Sequence, residues 1–126
     1  MVARRPKVGI LIFALGCAST RPAINYRLEN NLDACVRIDR QTSRWSGTLP
    51  VLELHYHMAK STAECGCKSA LSTYSSFAES SAGERYMSGG TMTLAGSDEV
   101  TLPLSVDRDL LGEAPVRVSL GCERPD

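Results

Sequence analysis

Three stretches of this chain alternate apolar and polar residues with a period of two, which leaves little but β-structure to build from. Residues 51–58 read VLELHYHM. Leu52, Leu54, Tyr56 and Met58 share one side, and Glu53, His55 and His57 share the other. Residues 100–106, VTLPLSV, align Val100, Leu102, Leu104 and Val106. Residues 116–122, VRVSLGC, align Val116, Val118, Leu120 and Cys122. Neighbouring side chains of a strand point to opposite faces, so each stretch reads as a half-buried strand. Pro103 cannot donate a ladder hydrogen bond, which assigns its strand to a sheet edge.

Weaker signals fill the gaps. Residues 65–77 put Cys65, Cys67, Leu71 and Phe77 on one face, with Tyr74 opposite. Residues 92–95 and 35–38 read as short strand pieces, and residues 25–34 leave a helical turn open. Ser46-Gly47, Ser88-Gly89-Gly90, Gly96-Ser97-Asp98 and Leu111-Gly112-Glu113-Ala114-Pro115 carry turn chemistry. The sum predicts an all-β fold, an antiparallel β-sandwich of six to seven strands. An immunoglobulin-like arrangement is one form of it, and a small barrel is the alternative. Trp45, the single tryptophan, is expected to plug one end of the core.

The five cysteines are Cys17, Cys35, Cys65, Cys67 and Cys122. Setting Cys17 aside leaves an even number, which in a short exported domain reads as two disulfides. Cys65 with Cys67 would close a very small ring, so the expected pairing sends them separately to Cys35 and Cys122. Each bridge is worth about 2–4 kcal/mol.

The N-terminus supplies the compartment. Arg4, Arg5 and Lys7 form a basic leader to an apolar run at residues 8–15, too short to span a bilayer. Small residues then flank Cys17. Ala14-Leu15-Gly16-Cys17 resembles the end of a bacterial lipoprotein signal, with Ala14 and Leu15 transposed relative to the usual order. The resemblance implies that Cys17 becomes the lipidated first residue, and Ala18 after it is compatible with sorting to the outer membrane. The expected organisation is a signal peptide at 1–16, a lipidated tether at 17–23 and one domain at 24–126. Ordinary signal cleavage, giving a soluble periplasmic protein, is the alternative.

Charge narrows the partners. Basic and acidic residues number 14 each. Loss of Arg4, Arg5 and Lys7 with the signal leaves the mature chain acidic, so no basic patch points to nucleic acid. The expected partners are the membrane, through the lipid, and an envelope protein.

Chemistry-bearing motifs are sparse. His55 and His57 point the same way on their strand, and Cys65 and Cys67 follow soon after. Imidazole and thiolate suit copper, so periplasmic copper or metal handling is an alternative function. Cysteines in disulfides are not thiolate ligands, however, and two exposed imidazoles alone make a weak site. No Gly-x-Ser-x-Gly elbow or His-Glu-x-x-His helix is present, and the hydroxyls of residues 69–81 have no base beside them in sequence. Asp107-Arg108-Asp109 lacks the spaced acidic loop of a calcium site. The expectation is a non-enzymatic protein without a cofactor.

The arrangement CGCKSAL at residues 65–71, LPL at 102–104 and a last Cys122 resembles an uncharacterised bacterial family of small exported cysteine-containing proteins. The resemblance implies no activity. The function expected from compartment and size is a binding module, inhibitor- or immunity-like, with a structural envelope role as a further alternative.

Overall fold

The computed structural model describes residues 23–106 and 114–123. The expected signal segment, Cys17, all of the tether but Ala23, and Asp107-Arg108-Asp109 lie outside the described residues. The strands are β1 Tyr26–Asn30, β2 Val36–Ser46, β3 Leu49–Met58, β4 Leu71–Ser80, β5 Gly83–Thr93, β6 Ser97–Pro103 and β7 Val116–Cys122. One 3₁₀ turn, Thr62–Cys65, lies between β3 and β4. The strands form two sheets, ordered β1-β7-β4-β5 and β2-β3-β6. All pairings are antiparallel except β1 with β7.

This is the expected sandwich, with an order of its own. Relative to the seven-strand constant-type immunoglobulin order, the β3–β6 and β4–β5 pairings are kept while β2 and β7 sit in opposite sheets. β6 is an edge strand, as Pro103 requires.

The alternating stretches behave as written. Leu52, Leu54 and Tyr56 of β3 are buried, as are Leu102 of β6 and Val116, Val118 and Leu120 of β7. They join Val36, Leu104 and Leu32 in one core between the sheets. Each such aliphatic side chain contributes about 1.5–3 kcal/mol when fully buried. Trp45 packs against this core partly buried, at the end of β2. Val106 instead is exposed, because the chain has left the sheet by that point.

β4 inverts the expected assignment. Its burial alternates with Ser72, Tyr74, Ser76 and Ala78 inward and Phe77 outward. Two of the inward hydroxyls, those of Tyr74 and Ser76, are hydrogen-bonded across the sandwich, whereas the buried Ser72 hydroxyl has no partner among the described residues. Tyr74 Oη donates to the Pro103 carbonyl at 2.9 Å, and Ser76 Oγ donates to that of Leu104. Those carbonyls belong to the chain at and just past the end of β6, where the ladder no longer satisfies them. Burial raises the Tyr74 phenol above its ordinary value.

Ser88-Gly89-Gly90 is not a turn but the middle of β5. A Cβ on Gly89 would fall 2.6 Å from Tyr86 Oη and 2.8 Å from the Tyr74 carbonyl. One on Gly90 would fall 3.3 Å from the Tyr74 ring. The glycines are there for close approach, the other reason a strand tolerates them. Residues 92–95 extend β5 and its exit, and residues 25–34 hold β1 and a turn in place of the helical turn left open.

Cys35 pairs with Cys65, and Cys67 with Cys122. The two central cysteines do not share a strand face. Cys65 ends the 3₁₀ turn, and Gly66 follows in the left-handed region at φ 94°. That reversal sends Cys65 to the start of β2 and Cys67 to the end of β7. The pairs span 30 and 55 residues. Chain-entropy arithmetic puts each bridge at about 4 kcal/mol, slightly more for the longer loop. Replacing Cys67 and Cys122 together by alanine should therefore lower urea-unfolding stability somewhat more than replacing Cys35 and Cys65. Equal unfolding midpoints with and without reductant would contradict this.

Candidate functional site

The gap lined by Val36, Leu54, Tyr56, Leu94, Val100 and Leu120 is too tight for a water molecule. Polar chemistry lies on the outer faces of the two sheets.

On the four-stranded sheet, register sets one row across all strands. Arg27 of β1 lies opposite Arg117 of β7, Arg117 opposite Phe77 of β4, and Phe77 opposite Tyr86 of β5. The two arginines would repel, but carboxylates interleave them. Arg117 binds Glu84 through two nitrogens at 2.6 and 2.8 Å, and Glu29 at 2.9 Å. Arg27 binds Glu79 at 2.7 Å and also Glu29. The Arg117 guanidinium lies 4.5 Å from the Phe77 ring centroid, a cation–π distance. Phe77 meets Tyr86 edge-on, with centroids 5.8 Å apart. A bulge at Met87 shifts the parity of β5, so Tyr86 and Gly89 share the outer face. Tyr86, 62% exposed, therefore lies across Gly89. Beside it runs an open groove of about 470 Å³, lined by Thr73, Ser75, Gly89 and Thr91.

On the three-stranded sheet, His55 and His57 share the outer face as expected, but they are not a pair. His55 lies opposite Glu99 of β6, with Nε2 2.8 Å from the carboxylate and 3.7 Å from Glu53. His57 Nδ1 lies 3.0 Å from Asp39. Asp39 occupies a bulge between Ile38 and Arg40, which lets it reach His57 from an edge strand. Cys65 and Cys67 sit in disulfides and offer no thiolate. Met58 lies on the inner side of β3, against the core. The sequence therefore located both histidines but missed Glu99 and Asp39. Only strand register brings those carboxylates to the imidazoles.

Fold and surface chemistry together define a small all-β domain, braced by two disulfides, that presents its polar groups on two outer faces. The chain belongs to a bacterial family described as an uncharacterized protein conserved in bacteria (DUF2195), whose model matches residues 10–125. No curated protein and no solved structure matches it.

The arginine network makes stability depend on pH. Hydrogen bonds from Arg117 and then Arg27 hold the Glu29 carboxyl below its ordinary value of 4.5. Arg117 lowers Glu84 in the same way. The folded chain thus binds fewer protons than the unfolded one in acid. The stabilisation is complete above pH 4.5 and fades as pH falls through the depressed folded values. Arg117→Gln should flatten this acid limb in urea-unfolding midpoints taken across pH. A limb identical to that of the parent would show that the network carries none of it.

Proposed function

We propose that this protein is an exported, non-catalytic binding module that engages a protein partner of the bacterial envelope, inhibitor- or immunity-like in mode. Cys17 carries its lipid anchor and holds the domain at the periplasmic face of the outer membrane, and a soluble periplasmic form is the alternative. Two disulfides in so short a chain support an oxidising compartment. A single acyl chain anchors only marginally, so stable tethering takes several.

The observation that carries the reading is the Tyr86 platform. Tyrosine combines an apolar ring with a polar tip and is enriched among the residues that dominate protein interfaces. The Tyr86 side chain passes close over Gly89, beside the hydroxyl-bearing Thr73, Ser75 and Thr91. The arginines at the end of its row are already matched by carboxylates, so the surface does not call for an anionic partner and suits a polar one.

The test is to immobilise the disulfide-intact domain and expose it to envelope extract at near-native abundance. A retained protein is then purified and titrated against the parent and Tyr86→Ala. The expected loss is about 2 kcal/mol, roughly thirty-fold in Kd. Tyr86 is mostly exposed and its edge-on pairing with Phe77 is worth about 0.5–1.5 kcal/mol, so folding stability should fall by about that much. No retained envelope protein, or equal affinity of the variant, would sink the proposal. A purely structural envelope role predicts the first result.

A further inference from the structure

Glu53, His55 and Glu99 each offer one donor atom, and the three lie within 4.8 Å of one another. We propose that they form a divalent metal site, with Zn²⁺ as the matching ion, on the outer face of the three-stranded sheet. The site differs from the His-x-His pairing that sequence suggests, because His57 takes no part in it.

Geometry favours this set. Tetrahedral ligation at about 2.0–2.1 Å puts donor atoms roughly 3.3 Å apart. The His55 Nε2 distances of 2.8 Å to Glu99 and 3.7 Å to Glu53 straddle that value. Small rotations of the two flexible carboxylates would bring all three atoms onto one ion. The backbone already holds them in place. His55 and Glu99 are cross-strand partners, and Glu53 lies two residues before His55 on the same face.

Charge and ligand type agree. One neutral imidazole and two carboxylates offset a divalent ion, and the set is borderline enough for zinc. Glu53 uses its other oxygen on Arg44 at 3.4 Å, leaving Oε1 toward His55. Such an outer partner orients a ligand without consuming its donor atom. Arg44 on Glu53 and Arg40, opposite His55 on β2 by register, are the cations that face the site. His57 is engaged by Asp39 on the far side of β3. All three donors are at least partly open to solvent, so the ion has an entry path and free positions for water.

The experiment is isothermal titration of the disulfide-intact full chain with Zn²⁺ alone, on the parent, His55→Ala, Glu99→Gln and His57→Ala. One ion per chain is expected. Loss of a direct ligand should weaken binding by more than the roughly 10–100-fold that an outer partner costs. His57→Ala should keep the parent's affinity. Zn²⁺ should raise the thermal midpoint of the parent and of His57→Ala but not of the other two. Unfolding curves without metal establish that Glu99→Gln folds, should His55→Ala fail to. Absence of saturable binding at millimolar Zn²⁺ would overturn the site. So would an equal loss in His57→Ala, which is the result of a His-x-His pair.

Discussion

Among the described strands the chain changes sheet four times, and the β3-to-β4 crossover, which both disulfides fasten, is the constraint on which the sandwich rests. After β3 the chain must leave the three-stranded sheet and enter the four-stranded one at β4. It does so through the 3₁₀ turn and Cys67. Within that link Cys65 is bonded to Cys35, which leads into β2, and Cys67 to Cys122, which ends β7. The link is thus fastened to both sheets by residues two apart. Gly66 makes this possible, since a left-handed φ of 94° between the cysteines lets them depart in different directions. A chain of this size can bury a core of its own, and covalent closure adds to it by constraining the unfolded chain.

Once the crossover is fixed, β4 becomes the spine of its sheet, pairing with both β5 and β7. Its inward face is unusual in carrying hydroxyls where the other strands carry leucine and valine. This is why its orientation was illegible in the sequence. Apolar periodicity finds a core only where the core is apolar. Here Tyr74 and Ser76 point inward because carbonyls at the end of β6 need donors, while Phe77 points outward under the Arg117 guanidinium. Propensity and pattern were overridden by a tertiary need for hydrogen bonds. Where inward residues were aliphatic, as in β3 and β7, alternation alone located the core faces. β1 escaped notice because YRLEN is short and half-buried, and its parallel partner β7 lies at the other end of the chain.

Two bulges explain most of what was hidden at the surface sites. Each inserts one residue, and each changes which side chains meet. At Met87 the extra residue brings Tyr86 and Gly89 to one face although they are three apart. At Asp39 it brings a carboxylate to His57. Strict alternation cannot reveal a bulge, because it assumes that the period never slips. The shared direction of His55 and His57 was legible, since only two residues of regular β3 separate them. Their separate partners were not, because these come from β2 and β6.

The two outer faces surround their carboxylates with different nitrogen groups. On the four-stranded sheet, Glu29, Glu79 and Glu84 share two guanidiniums. Guanidinium is always charged and has no lone pair to give a metal, so that network can brace the face but cannot take up an ion. On the three-stranded sheet, Glu53 and Glu99 surround an imidazole, which accepts a proton or donates a lone pair. The same carboxylates can then turn from the ring to an ion that the ring also binds. One face is thus locked by guanidiniums beside Tyr86, while the other sets its carboxylates around an imidazole.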